Sequence, residues 1–407
     1  MATLNVPNAV ARVSGHHGGG MRLAFDVTTM VKPQRGGIAT YGCELIRAIV
    51  RAAPEHEILL AIRSNRWGKR ELIDDLMALL PEGSRPRLFV DMFADSSIGR
   101  PDVLHAIGVR LPPKMRAARL FTLHDLNVFE FPELADPEWV KQRQARIRET
   151  VARADLVISY SEQGKQSLTE LLGFPADRVR VVPCGVDTSR FRRPDPPVLE
   201  AVLRRRALLG PDGSPRPYVL LAGQLSPRKN QAGLIAAFAR ACVERDGGAP
   251  ALPDNWLLVL PGPRDADADE LRRLARAAGL PDDRVMLPGW VPDEDLPALL
   301  SGAALYVCAS LHEGFGLPVL EAQACGTPVL CSDRGALKET LGGCGVHFDP
   351  TDESAFAAAL VAMARDDALR AEFSRRGPAR VLGGYSWEEV AKRTLAVHAE
   401  AAEGVKR

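Results

Sequence analysis

The sequence offers almost no net charge, no cysteine framework and no long apolar run, and each lack removes a class of function. Its 52 Lys and Arg nearly balance 51 Asp and Glu, leaving a formal charge of +1. No global field therefore draws in nucleic acid. The seven cysteines (43, 184, 242, 308, 325, 331, 344) include no C-x-x-C pair. A chain this long is stable without staples, so reduced thiols in a cytoplasmic protein are the expectation. No stretch of 18 apolar residues exists, and the N-terminus lacks the basic-then-apolar order of a secretory signal, so neither a spanning helix nor export is supported. Peripheral contact with the inner membrane surface stays open. Neither Gly68-Lys69-Arg70 nor Gly164-Lys165-Gln166 completes a P-loop, and no G-x-S-x-G occurs; ATPase and serine hydrolase chemistry lose support.

What remains is a chain of 407 residues with 46% apolar and 25% charged residues, enough for a sizeable core in two or three domains of about 150 residues each. Residues 1–20, with two histidines and a triple glycine but no apolar periodicity, read as a flexible leader. Met21, directly before the first strand, is an alternative start. From there, short apolar runs alternate with amphipathic segments. Met21–Val27, Glu57–Ile62, Arg87–Val90, Asp102–Ala106, Leu120–Leu123, Asp155–Tyr160 and Val179–Val182 read as strands of one parallel α/β domain, residues 21–200. The stretches around Phe191–Pro197 and Gly210–Pro217 concentrate Pro, Arg and Gly as an interdomain connector would; with the connector set at 201–216, a second alternation runs over 217–385. Its strands are Tyr218–Ala222, Trp256–Leu260, Val285–Leu287, Leu305–Cys308 and Pro328–Cys331. The expected fold is two tandem Rossmann-like, doubly wound domains facing a cleft. Residues 386–407 form a last helix, with Ser386 as N-cap and Glu389 completing a capping box.

Doubly wound sheets bind ligands at the carboxyl ends of their strands, and the densest chemistry falls there. His312-Glu313-Gly314-Phe315-Gly316-Leu317-Pro318-Val319-Leu320-Glu321 follows the strand ending at Cys308. Pro318 suits the first helical position, which puts the amides of Phe315, Gly316 and Leu317 at a helix N-terminus, while Gly314 and Gly316 allow close approach of an anion. Glu313 and Glu321, the latter in the first turn, stand eight positions apart, and a folded-back loop brings both to one ligand. A carboxylate accepts two O–H bonds from a diol, so ribose and sugar hydroxyls fit. The plainer alternative is that both acids only complement the helix dipole.

This segment resembles the Glu-x7-Glu motif of the retaining glycosyltransferases of family 4, which have the glycosyltransferase B fold. The resemblance implies that Glu321 holds the ribose and Glu313 contacts the donor sugar. Ala222-Gly223-Gln224-Leu225-Ser226-Pro227-Arg228-Lys229-Asn230 is similar to the family's glycine turn leading to Arg-Lys-Asn, with Gln224 where the family has a second contact after glycine. Two cations at a strand's carboxyl end can neutralise a departing diphosphate, and Lys229 leads as candidate. Arg228 either shares that task or is a solvated helix-start residue. His124-Asp125, ending the strand Leu120–Leu123, resembles the histidine loop of mannosyltransferase-like members. It implies a donor-sugar contact for His124, and leaves Asp125 to orient the imidazole, contact the acceptor or cap the next segment. His105 ends another strand and is an acceptor-side candidate. The loop around Gly36 and Gly37 resembles the family's Gly-Gly loop near the donor diphosphate. Pro288-Gly289-Trp290-Val291-Pro292 resembles the loop at the nucleotide base, with Val291 as contact. In the family the terminal helix crosses back to the first domain.

The expected activity is that of a retaining hexosyltransferase (EC 2.4.1.-). It moves a sugar from a nucleoside diphosphate, with GDP-mannose as first choice, to a saccharide or lipid-linked acceptor in polysaccharide or glycolipid assembly. No cofactor is expected. Asp265-Ala266-Asp267-Ala268-Asp269 contains an Asp-x-Asp, but it stands where a helix from about Glu270 begins and acids favour the dipole. The basic stretch Lys141–Arg148 reads as a solvated helix face, or as one lying on an anionic surface. A sugar-nucleotide epimerase of similar fold and a non-catalytic nucleotide-sugar sensor are the rival readings.

Overall fold

The computed structural model describes residues 20–33, 36–66, 68–81, 86–223, 226–243, 245–246, 249–262 and 265–405. Residues 1–19 of the expected flexible leader therefore lie outside the described residues, as does Gln224. Two parallel sheets organise the rest. The first contains β1 (Arg22–Asp26), β2 (Glu57–Arg63), β3 (Pro86–Phe89), β4 (Val103–Ala106), β5 (Ala118–Leu123), β6 (Leu156–Ser159) and β7 (Val179–Val181), in the order β3-β2-β1-β4-β5-β6-β7. The second contains β8 (Tyr218–Leu220), β11 (Leu257–Val259), β12 (Val285–Met286), β13 (Leu305–Cys308), β14 (Val329–Ser332) and β15 (Val346–Phe348), ordered β12-β11-β8-β13-β14-β15. Between β8 and β11 in sequence, β9 (Arg245–Asp246) and β10 (Ala249–Pro250) form a short antiparallel ribbon. Each large sheet reverses its winding once, between β1 and β4 and between β8 and β13. Those two switch points are where loops part and leave room for a ligand.

Helices cover both faces, so the strands read as continuous apolar runs and not as alternations. The polar residues buried in the strands concentrate toward their carboxyl ends: Asp26, Arg63, His105, Thr122, Ser159 and Ser332. The sheets are apolar where they pack and polar where they face the loops.

Three elements differ from the sequence reading. Strand β15 was not expected, because Gly342-Gly343-Cys344-Gly345 before it looks like a loop. Pro196 and Pro197 open a helix, Pro196–Arg205, where the proline density suggested a linker; proline is favoured at first helical positions. Arg205 and Arg206 clasp the buried Asp295 at 2.5 and 2.7 Å, fastening this segment to the second sheet's helices. The Asp-rich segment is itself helical, from Asp265 to Ala277.

The last helix, Trp387–Val405, packs against helix Gly37–Ala52 of the first domain. Trp387 lies on Gly185, where an added Cβ would meet the indole at 2.5 Å. Ser386 Oγ accepts the Glu389 amide at 3.3 Å, but the Glu389 carboxylate turns to Arg393, so only half of the capping box forms. No helix among the described residues is long and apolar enough to cross a membrane.

Candidate active site

The helix after β13 spans Leu317–Ala324, one residue earlier than Pro318 suggested. Gly316 precedes it with φ +93°, a conformation that suits glycine, and a Cβ there would strike Leu337 at 2.5 Å. Glu321 is thus one turn in and not in the first turn. Helical side chains lean toward the N-terminus, and its carboxylate lines an apolar cavity of about 210 Å³ with Gly223, Trp290, Val291, Tyr306 and Pro318. Burial pushes this carboxyl up to about 7, with Arg190 pulling the other way. Trp290, 75% exposed, stands at the rim as an aromatic surface.

Glu313 stands apart from that cavity and is pinned by cations. Lys229 Nζ lies 2.7 Å from one carboxylate oxygen and Arg228 Nη1 2.5 Å from the other. Ser310 Oγ donates to Glu313 at 2.9 Å, and Arg228 also donates to the His312 carbonyl at 2.9 Å. Burial alone would raise the Glu313 carboxyl, but Lys229 and Arg228 outweigh it and hold it below the ordinary range. Arg228 is therefore a member of the cluster and not a solvated helix-start residue. Gly223, at φ +143°, carries the β8 loop past Lys229, and the Gly262 loop comes so near that a Cβ on Gly262 would sit 2.9 Å from the Gly223 carbonyl.

The first domain closes on this wall. A Cβ on Gly314 would lie 2.7 Å from the His124 carbonyl, which explains the glycine. His312 Nε2 pairs with Glu130 at 3.0 Å, and Glu339 accepts the amides of Glu162 and Gln163, at the start of helix Glu162–Leu172, at 2.8 and 2.7 Å. The space among His124, Asp125, Glu130, Glu313 and Gly314 is only about 20 Å³, room for about one water. Beside it opens a cleft of about 490 Å³, with Asp125, Phe131 and Arg143 on one wall and Ser226, Arg228 and Lys229 on the other.

The histidines resolve differently from the sequence reading. His124 Nε2 lies 2.7 Å from the Ile107 carbonyl and must donate to it, so Nδ1 accepts the Tyr160 hydroxyl, also at 2.7 Å. Both ring nitrogens are engaged, and burial lowers the imidazole's pKa. Asp125 therefore does not orient the imidazole; its carboxylate accepts the Asn127 amide at 3.3 Å and stays exposed on the cleft wall. His105 does not line an acceptor site. It is 1% exposed, bonded to Thr122 at 2.8 Å and to His398 of the last helix at 3.0 Å. Gly36 and Gly37 begin the helix after β1, exposed, with nothing within 4 Å of an added Cβ. Tyr160 and Arg190 were missed. Tyr160 follows β6, where a strand-end rule would have found it; Arg190 has no local signal.

Two family models match the chain: Glycosyltransferase Family 4 over residues 35–190 and Glycosyl transferases group 1 over residues 211–380. The chain is therefore a two-domain glycosyltransferase of family 4 with the glycosyltransferase B fold. It is 31% identical over 293 residues to O-antigen chain mannosyltransferase B of Escherichia coli, covering 72% of this chain and 73% of that protein. It is 32% identical to the D-inositol 3-phosphate glycosyltransferase of Acidothermus cellulolyticus, covering 69% and 61% respectively. Among solved structures, sucrose-phosphate synthase from Thermosynechococcus elongatus superposes with a TM-score of 0.70 at 21% identity, over 94% of this chain and 100% of that one. Anabaena HepE, solved with UDP and glucose, gives 0.68 at 18%, over 93% and 100%. Neither the epimerase nor the sensor reading is favoured by these relatives.

Because Gly314 abuts the His124 carbonyl, Gly314→Ala should force the two walls apart. Steady-state kinetics should show kcat reduced at least about tenfold, with nucleotide affinity changed less than about twofold. Wild-type turnover would show that this approach is dispensable.

Proposed function

We propose that this glycosyltransferase moves a hexose, mannose from GDP-mannose as first choice, to a hydroxyl of a saccharide or lipid-linked acceptor, with retention at the anomeric carbon, in polysaccharide or glycolipid assembly. The observation that carries the reading is the Lys229–Glu313–Arg228 cluster beside the cavity that holds Glu321. The mannose preference rests on the histidine loop and on the name of the E. coli relative. Retention is carried over from the family resemblance.

In this reading the base and ribose occupy the apolar cavity, with the base against Val291 and Trp290 and the ribose diol on Glu321. The diphosphate then competes with Glu313 for Lys229 and Arg228. As it binds, Glu313 is released from its cations and turns to the sugar hydroxyls. As the glycosidic bond breaks, charge grows on the leaving diphosphate, and the two cations stabilise it together with the amides of residues 314–317. The leaving phosphate takes the acceptor's proton. His124, locked by Tyr160 and Ile107, shapes the sugar pocket, and offers Nδ1 only if a sugar hydroxyl displaces Tyr160. The amides at Gly36 and Gly37 serve the diphosphate from the first domain. The cations do work that a metal does in other sugar transferases, so no cofactor is required. In this reading the protein works in the cytoplasm and touches an anionic membrane through Trp139 and Lys141, which are exposed on helix Pro137–Arg153.

A panel of nucleotide sugars offered with saccharide acceptors, read by product NMR, tests donor and stereochemistry together. Lys229→Ala should reduce kcat about a hundredfold or more, since removing one donor to a developing anion costs about that much; melting should fall but the chain should still fold, because Arg228 remains paired with Glu313. Wild-type turnover of this variant would remove the assignment. Chelator should leave the wild-type rate unchanged; its loss would overturn the metal-free proposal.

The pH response follows from Glu321. Only the carboxylate accepts both ribose hydroxyls, and it takes a proton as pH falls through about 7. Nucleotide affinity measured by calorimetry should therefore weaken up to about tenfold from about pH 8 to about pH 6, and Glu321→Gln should flatten the profile. An unchanged wild-type profile would contradict the ribose role.

A further inference from the structure

At the carboxyl ends of β1, β2 and β4, on the first domain's own switch point, lies a second cavity of about 210 Å³. Five arginines line it: Arg63, Arg66, Arg110, Arg143 and Arg146. Arg63 is the buried floor. Its guanidinium pairs with Asp26 at 3.0 Å and closely with Asp91, donates to the Arg110 carbonyl at 3.1 Å, and lies over the Phe89 ring at 4.8 Å. Asp91 is shared with Arg110, at 2.9 Å. The two carboxylates are thus spent on Arg63 and Arg110. Arg66, Arg143 and Arg146 have no ion pair among the described residues; burial lowers the Arg143 pKa, and Asp125 only partly offsets it.

Three further observations give the cavity a purpose. Thr29 Oγ1 and Arg66 Nε, both on its wall, are buried without a hydrogen-bond partner, a costly arrangement unless a ligand completes it. Arg143 also lines the large interdomain cleft opposite Arg228 and Lys229, so the cavity opens toward the reaction centre. Clustered guanidinium groups repel one another, and a multivalent oxyanion relieves that repulsion through paired N–H···O bonds.

We propose that this cavity is an anion subsite for the acceptor, which therefore carries a phosphate ester. The phosphate sits against Arg66 and Arg146 over the Arg63 floor, and Arg143 steers the acceptor's hydroxyl end toward the cleft. This deepens the transferase reading and rests on it for the word acceptor; the anion site itself does not.

The test uses the full chain with inorganic phosphate as probe. Calorimetry should show millimolar phosphate binding, and phosphate should compete with acceptor but not with nucleotide. Arg66→Ala and Arg146→Ala should each weaken phosphate binding about tenfold or more, the loss expected for a charge-assisted hydrogen bond, with Arg146→Lys recovering part of it. In turnover they should raise KM for phosphorylated acceptors by a similar factor with kcat little changed. A hexose phosphate and vesicles carrying phosphatidic acid then distinguish a soluble phosphate ester from a lipid headgroup: the arm whose binding the Arg146→Ala change weakens is the source. No phosphate binding at tens of millimolar, or equal binding by wild type and both Ala variants, would overturn the proposal. A chain that binds phosphate here but takes no nucleoside diphosphate would instead overturn the transferase mechanism, so the two failures are separable.

Discussion

The cleft depends on a charge held in the wrong company until substrate arrives. Glu313 is largely buried, and a lone carboxylate there would be costly; Lys229 and Arg228 make it tolerable by facing it from the β8 loop, 84 positions away in sequence. Breaking a buried pair by removing one partner typically costs about 3–5 kcal/mol, because the other charge is left behind. A diphosphate can take over the cations at far lower cost, since it brings its own negative charge. The resting ion pairs therefore keep the cations ordered and pointed into the cleft. They also prevent Glu313 from relaxing elsewhere.

Glu321 obeys the opposite logic. It sits in an apolar cavity with no ion pair of its own among the described residues, and burial is the largest influence on it. Two acids eight positions apart on one loop and helix thus shift in opposite directions, one held below the ordinary carboxylate range by cations and one pushed up to about 7 by burial. Their separation follows from the αL turn at Gly316, which ends the loop and starts the helix, so that Glu313 faces the β8 loop while Glu321 faces the Trp290 loop.

The strands were legible because parallel sheets bury both faces and leave uninterrupted apolar runs, and the site residues because strand ends are where such folds place polar groups. The same rule misled at His105, which sits near a strand end as His124 does. What separates them is His398, which reaches His105 from a helix 293 positions further on, and no local pattern shows that contact. The expected family role of His124 met a similar limit, because Tyr160 occupies its free nitrogen. Arg190 near Glu321 was likewise invisible, since the chain brings it there only once both domains are docked. Proline was legible in kind but not in sign: at Pro196 it opens a helix and does not end one.

The arginine cavity joins these strands of argument. The two switch points meet across one cleft, and each carries cations: Lys229 and Arg228 on the second domain, five arginines on the first. Between them the space beside Gly314 and His124 is too small for a sugar, so the proposed mechanism assigns transfer to the larger cleft that Asp125, Arg143 and Lys229 share. An acceptor anchored by its charged end at Arg66 and Arg146 would lie along Arg143 and present its hydroxyl to that cleft, on the side opposite the departing diphosphate. Both substrates are then oriented by their anionic ends, leaving the neutral sugar between two fixed poles. Under the proposed mechanism charge would fix position, and the weakly held hydroxyls of the sugar would be left to the short-range contacts of Glu313 and the His124 loop.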